Sequence, residues 1–138
     1  MTTPITYLSK CYNFSASHRL YTDSLSQEEN VQIFGKCANP NGHGHNYRLT
    51  VTLKNPIDPY TGFTFPLESL DSIVLSEVIH IYDHKYLNLD VADYFEHVPT
   101  GENMAQKIWE RLEPKLPKLL WNITLDETNN NRFIYPVH

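Results

Sequence analysis

The chain has 138 residues, 41% of them hydrophobic and 20% charged. These are ordinary values for one globular domain with its own core, and they exclude a disordered chain or a disulfide-stapled miniprotein. Lys and Arg number 11 against 16 Asp and Glu, a formal net charge of -5; this argues against a nucleic-acid partner and leaves an anionic substrate dependent on a local basic pocket.

In chain order, Ile5 to Ala16 is predicted as a strand. Its apolar positions are Ile5, Tyr7, Tyr12 and Phe14, and the alternation slips near Ser9-Lys10. Cys11 within it is expected to pack as a small hydrophobe. Ser24 to Phe34 forms a short helical or irregular excursion. From His45 to Lys54 the pattern alternates cleanly, with Tyr47, Leu49, Val51 and Leu53 on one face. A turn follows through Asn55–Gly62, where two prolines and a glycine interrupt the strand. Leu67 to His80 carries Leu67, Leu70, Ile73, Val74 and Val78 at helical spacing. A second helix begins at Thr100, whose hydroxyl suits an N-cap. It buries Met104, Ala105, Ile108, Trp109 and Leu112 and is ended by Pro114 and Pro117. Trp121, Ile123 and Leu125 alternate as a third strand, and Arg132 to Val137 supplies a fourth.

The order ββααββ is satisfied by an α+β domain over residues 1-138, a four-stranded antiparallel sheet with both helices on one face. Its open edges invite pairing with further copies of the chain. Two cysteines, Cys11 and Cys37, are no disulfide framework, and reduced thiols are the expectation. Met1–Ile5 lacks the basic and apolar regions of a signal peptide. No apolar run approaches the roughly 20 residues of a membrane span. A cytoplasmic protein with no membrane partner is expected.

The segment Phe34–Tyr47 concentrates the chemistry. In a strand, side chains alternate, so His43 and His45 project to one side and can grip one divalent ion. His18, at the end of the first strand in Ser15-Ala16-Ser17-His18-Arg19, is well placed to join them. Three nitrogens leave one tetrahedral position free, the mark of a catalytic zinc site. Cys37 lies on a Gly- and Asn-rich turn, where a nearby cation would lower its pKa. In Asp83-His84 a carboxylate can orient an imidazole, or simply cap a helix end. Glu102 suits the start of the second helix and Glu127 a turn. His80 and His97 carry no partner motif.

Together these residues resemble the 6-pyruvoyl-tetrahydropterin synthase family. The resemblance runs from Phe14-Ser15-Ala16-Ser17-His18-Arg19-Leu20 through the Cys37–His45 stretch, Asp83-His84-Lys85 and Thr100-Gly101-Glu102-Asn103 to Glu127-Thr128-Asn129-Asn130-Asn131. It implies the T-fold, in which three subunits close a twelve-stranded barrel and two barrels stack into a homohexamer. It implies a zinc-dependent lyase that acts on 7,8-dihydroneopterin triphosphate, eliminates triphosphate and leaves a 6-pyruvoyl side chain for tetrahydrobiopterin biosynthesis. By the same likeness His18, His43 and His45 bind zinc, Cys37 is the general base, and Asp83 and His84 assist proton transfer. Glu127 anchors the pterin, with Thr100 and Glu102 framing the pocket. Arg19, Lys36 and Lys85 are candidates for the triphosphate, which magnesium could accompany. Family sites are composite across subunits.

One motif departs from this pattern. Pro99-Thr100-Gly101-Glu102 is similar to the sister branch, 6-carboxy-tetrahydropterin synthase of queuosine biosynthesis; the tetrahydrobiopterin branch more often has a second hydroxyl residue where Gly101 stands. The long Cys37-to-His43 spacing matches the tetrahydrobiopterin branch and weighs more, because it sets the base-to-metal geometry. A non-catalytic zinc- or pterin-binding protein is the reading from another class.

Overall fold

The computed structural model describes residues 3–138. Met1 and Thr2, the start of the segment read for a targeting signal, lie outside the described residues. The chain runs through β1 (Ile5–His18), α1 (Gln27–Phe34), a 3-10 turn (Gly35–Ala38) and β2 (His43–Pro56). Next comes α2 (Leu67–Val74), continuous through a π turn (Leu75–Ile79) with α3 (His80–Tyr82). β3 (Lys85–Tyr86), α4 (Leu87–Asp90), α5 (Gly101–Leu112), β4 (Leu120–Thr128) and β5 (Asn131–Tyr135) complete it.

Four long strands are antiparallel, as the alternation predicts, in the sheet order β3-β1-β2-β4-β5. The two-residue β3 adds a fifth, parallel to β1 at Ala16 and Ser17. β1 and β2 pair from Ile5 opposite Pro56 to His18 opposite His43. That register stacks Tyr12 beside Leu49 and Phe14 beside Tyr47 on one face. Leu70, Val74 and Val78 cover this face from one helix, and Met104, Ile108 and Leu112 from the other. Each such fully buried aliphatic side chain contributes roughly 1.5–3 kcal/mol. The helices sit on one side only, so the other face of the sheet stays polar.

α5 starts as expected, with Thr100 Oγ1 accepting from Asn103 N at 3.2 Å. α1 is closed by a capping box: Ser26 Oγ accepts from Glu29 N, and Glu29 Oε1 from Ser26 N. No helix among the described residues is long and apolar enough to cross a membrane.

Several packing expectations need correction. Cys11 does not pack in the core. The slip at Ser9-Lys10 puts Tyr12, Phe14 and Ala16 on the helix side and Cys11 on the polar face, where it meets Thr50 and Arg48. Lys10 shares the core parity because its ammonium reaches Asp71 of α2 at 2.6 Å. The π turn widens the helix by one residue, so Val78 and Ile79 are both buried, while Leu67 is exposed at the helix start. A bulge in the β2–β4 pairing between Thr52 and Leu53 breaks the alternation of Trp121 with Ile123. Leu120 is buried instead, and Trp121 lies half-buried against Tyr7 on the polar side.

Candidate functional site

At one end of the sheet the core face turns from apolar to imidazole. His18 stands opposite His43, and His45 opposite Ala16, so strand parity sends all three histidines to the helix side. The chain enters β2 through Gly42 at φ +69, where a Cβ would sit 3.0 Å from the His18 carbonyl. Glycine is required there both for the left-handed backbone and for the close approach of the two strands. The ligand atoms of His18, His43 and His45 lie within 4.8 Å of one another, and no fourth His, Cys, Asp or Glu joins the group among the described residues.

His18 is fully buried. Its Nδ1 lies 2.8 Å from the Pro99 carbonyl. A carbonyl only accepts, so Nδ1 carries the proton and Nε2 presents its lone pair to the cluster, 3.1 Å from His43 Nε2. A tetrahedral zinc ion with Zn–N of about 2.0–2.1 Å needs nitrogens about 3.3 Å apart, which this pair already approaches. His45 Nε2 is buried with no hydrogen-bond partner. A buried unsatisfied nitrogen is costly, and a metal ion would satisfy it. Burial lowers the His18 pKa to about 4, against the opposing pull of the Pro99 carbonyl, with His43 and His45 adding to the lowering. Burial lowers His43 also. Both shifts favour the neutral imidazole, the form in which a histidine binds a metal.

Glu127, at the end of β4, stands 3.5 Å from His45 Nε2 through Oε1. Cys37, half-buried in the 3-10 turn after α1, is not among the three ligands. Burial raises its thiol pKa, and the Glu127 carboxylate raises it further. Arg19 latches this turn: its Nε donates to the Ala38 carbonyl at 2.9 Å, and Leu20 N donates to the Cys37 carbonyl at 2.8 Å. The guanidinium also stacks on Tyr21, 4.0 Å from the ring centroid. Lys36 and Lys85 are exposed.

Asp83 and His84 lie elsewhere, along the edge of β1 beyond β3. Asp83 Oδ1 accepts from Ser15 N at 2.9 Å, and His84 N donates to Ser15 O. His84 Nδ1 is 3.0 Å from Asp83 Oδ2, an oriented pair whose imidazole is largely exposed. The Ser15 N–H lowers the Asp83 pKa most, and His84 lowers it further. His84 adopts φ +60, which turns the chain sharply at this edge. Neither residue hydrogen-bonds to Cys37 within the chain. A cleft of about 570 Å³ has both His45 and His84 among its lining residues. Thr100 spends its acceptor oxygen on capping α5, and Glu102 is exposed in the first turn of that helix. The next residue toward the N-terminus from Thr100 is Pro99, so the cap itself abuts the imidazole cluster. His80 and His97 are both exposed.

Sequence reasoning missed three participants: the Pro99 carbonyl, the Tyr47 hydroxyl 3.3 Å from His18 Nδ1, and Arg19 as a latch on the Cys37 turn. A main-chain carbonyl leaves no side-chain signature. Tyr47 was legible only as a core position. Arg19 carried a signal, its place directly after His18, which was read only as charge.

Comparison with known proteins agrees with this arrangement. The family described as 6-pyruvoyl tetrahydropterin synthase matches residues 7–137. The chain is similar to 6-pyruvoyl tetrahydrobiopterin synthase of Pongo abelii, 46% identical over 129 residues, covering 93% of this chain and 89% of that protein. The Homo sapiens protein of the same name is 45% identical over 129 residues, with the same shares covered. The structure of Caenorhabditis elegans 6-pyruvoyl tetrahydropterin synthase superposes with a TM-score of 0.94 at 38% identity, covering 100% of both chains. With half and more of its length matched and its imidazole cluster assembled, the chain belongs to the 6-pyruvoyl tetrahydropterin synthase family.

Proposed function

We propose that this chain, one domain over residues 1–138, is a zinc-dependent carbon–oxygen lyase of the cytoplasm. It converts 7,8-dihydroneopterin triphosphate to 6-pyruvoyl-tetrahydropterin and releases triphosphate. The observation that carries this reading is the convergence of His18, His43 and His45, with a buried Nε2 on His45 that makes no hydrogen bond. Three imidazoles with no fourth His, Cys, Asp or Glu in the group among the described residues suit an open zinc site. Zinc bound there would act as a Lewis acid toward the substrate's side-chain oxygens. Magnesium, a hard cation, suits the triphosphate oxygens instead.

The protein's own groups divide the remaining work. Glu127 accepts the two parallel N–H donors of the amino-pyrimidinone edge in fork geometry, and Thr100 and Glu102 frame the ring. Cys37 takes the carbon-bound proton as a thiolate. Its thiol is held up by burial and by the Glu127 charge, so engaging Glu127 with the pterin removes one obstacle to forming the thiolate. Asp83 orients His84, and this pair assists proton transfer from the subunit edge. That placement favours a site completed by a neighbouring copy in a homohexamer. Lys36 and Lys85 are free to meet the triphosphate, whereas Arg19 is committed to the Cys37 turn.

The test is incubation of zinc-loaded protein with dihydroneopterin triphosphate, followed by triphosphate assay and mass spectrometry of the pterin. A pyruvoyl product is expected. A carboxylate product with loss of acetaldehyde assigns the chain to the sister branch, and substrate binding without turnover makes it a binding protein. Cys37→Ala is expected to abolish triphosphate release with zinc still bound. Unimpaired turnover in that variant would remove Cys37 from the mechanism.

A further inference from the structure

The segment Thr100-Gly101-Glu102-Asn103 supplies a helix cap and two pocket residues, but leaves Asn103 without a task. Its main-chain N–H goes to Thr100 Oγ1. Its side-chain Nδ2 turns back across the helix start and donates to the Val98 carbonyl at 2.8 Å. The same carbonyl accepts from Thr100 N at 2.8 Å, closing a tight turn around Pro99. Residues 95–100 form neither helix nor strand. Pro99 has no N–H of its own with which to anchor this stretch. The position of its carbonyl therefore depends on bonds to its neighbours, and the Asn103 amide is the side-chain member of that set.

The Pro99 carbonyl does chemical work, because it accepts a hydrogen bond from His18 Nδ1–H at 2.8 Å. Tyr47 offers a rival: its hydroxyl lies 3.3 Å from the same nitrogen. A hydroxyl, unlike a carbonyl, can donate. If the Pro99 carbonyl moved off, the Tyr47 O–H would stabilise the opposite tautomer. His18 would then carry its proton on Nε2, and its lone pair would face away from His43 and His45.

We propose that Asn103 is a positioning residue for His18: by clamping the Val98 carbonyl it holds the Pro99 carbonyl in place and so selects the imidazole tautomer able to bind a metal. The inference rests on the metal-site reading above and deepens it. Outer groups that fix a ligand's tautomer are typically worth 10–100-fold in metal affinity.

The experiment compares the full-length protein with Asn103→Asp. This change keeps the side-chain size and, as a carboxylate in the first turn of α5, favours the helix while removing the donor. Zinc affinity is read by competition with a chromophoric chelator, and the His18 tautomer by nitrogen-15 NMR of the metal-free protein. Asn103→Asp is expected to lose about 10–100-fold in zinc affinity and to show His18 partly protonated on Nε2. Adding Tyr47→Phe, which deletes the rival donor, is expected to restore most of the affinity. A merely structural role for Asn103 would not respond to that second change. Asn103→Ala serves the same comparison if the aspartate variant does not fold. Unchanged zinc affinity, or a loss in which His18 keeps its proton on Nδ1, would overturn the proposal. Because the tautomer is read without metal, a parent protein that failed to bind zinc would sink the proposed function and leave this test in force.

Discussion

Burial and neutral charge go together at His18. Its pKa is lowered from the ordinary 6.5 to about 4, chiefly by desolvation. An unfolded chain binds a proton there below about pH 6.5 while the folded, metal-free chain refuses it until about pH 4. Stability from this group is therefore complete above pH 6.5 and is lost as pH falls toward 4. The loss is on the order of 3 kcal/mol, from about 1.4 kcal/mol per unit of pKa difference. Denaturant titrations of chelator-treated protein at pH 7, 5.5 and 4 should show this decline, and His18→Gln should flatten it. A metal-free protein equally stable at all three would mean that His18 is not desolvated. The same scale separates the two cysteines. Thr50 and Arg48 lower the Cys11 pKa by hydrogen bonding, whereas burial raises Cys37. The Gly- and Asn-rich turn around Cys37 signalled a special site, but the lowering expected there from a nearby cation is replaced by a rise from burial, and nothing local told which way Cys11 faces.

At the scale of elements, the junction between α5 and β5 explains the glycine that departs from the tetrahydrobiopterin pattern. A Cβ on Gly101 would lie 2.0 Å from the Phe133 ring. Phe133, paired with Leu125 across the sheet, fills the space that a residue with a side chain would take. Gly101→Ala is expected to destabilise the protein by about 1–3 kcal/mol through overpacking. The double variant Gly101→Ala/Phe133→Ala should fall short of the sum of the single changes, because each relieves the other's misfit. Additive denaturation midpoints would show that the two positions do not compete for space. The capping box of Ser26 with Glu29 lay in a segment read only as a helical or irregular excursion, whereas the start of α5 was legible because capping is local, Thr100 accepting from Asn103. The bulge opposite Leu53 was not, since register shifts arise from the pairing of two strands and leave no mark in either one.

For the whole molecule, the sheet is open at both ends. Along most of β1 and along β5 the described chain places no further strand, and such edges pair readily with other copies. The Asp83–His84 pair sits on the β1 edge, while the imidazole cluster lies on the sheet's helix side and Cys37 in the turn after α1. If a neighbouring copy brings the two halves together, mixed oligomers of Cys37→Ala and His84→Ala chains should regain turnover that neither variant has alone. Mixing after mild dissociation, with triphosphate release as the readout, tests this. Persistent inactivity of well-formed mixed oligomers would place the whole site within one chain. Light scattering of the parent protein should give a mass six times that of the 16.1 kDa chain.

The sequence by itself determined the features that depend on neighbours along the chain. Strand alternation set His43 and His45 on one side, hydrophobic period marked the two helices that cover the sheet, and Thr100 marked where one of them begins. Only the tertiary structure decided which distant groups meet. The β1–β2 register brought His18 to His43, and the turn before α5 delivered the Pro99 carbonyl to His18 Nδ1. The β1 edge fixed Asp83 through the Ser15 N–H and set His84 beside it. Local pattern reports which face a side chain occupies, but the tautomer of His18 is set by an acceptor 81 residues away. Such a contact exists only once the chain has folded around it.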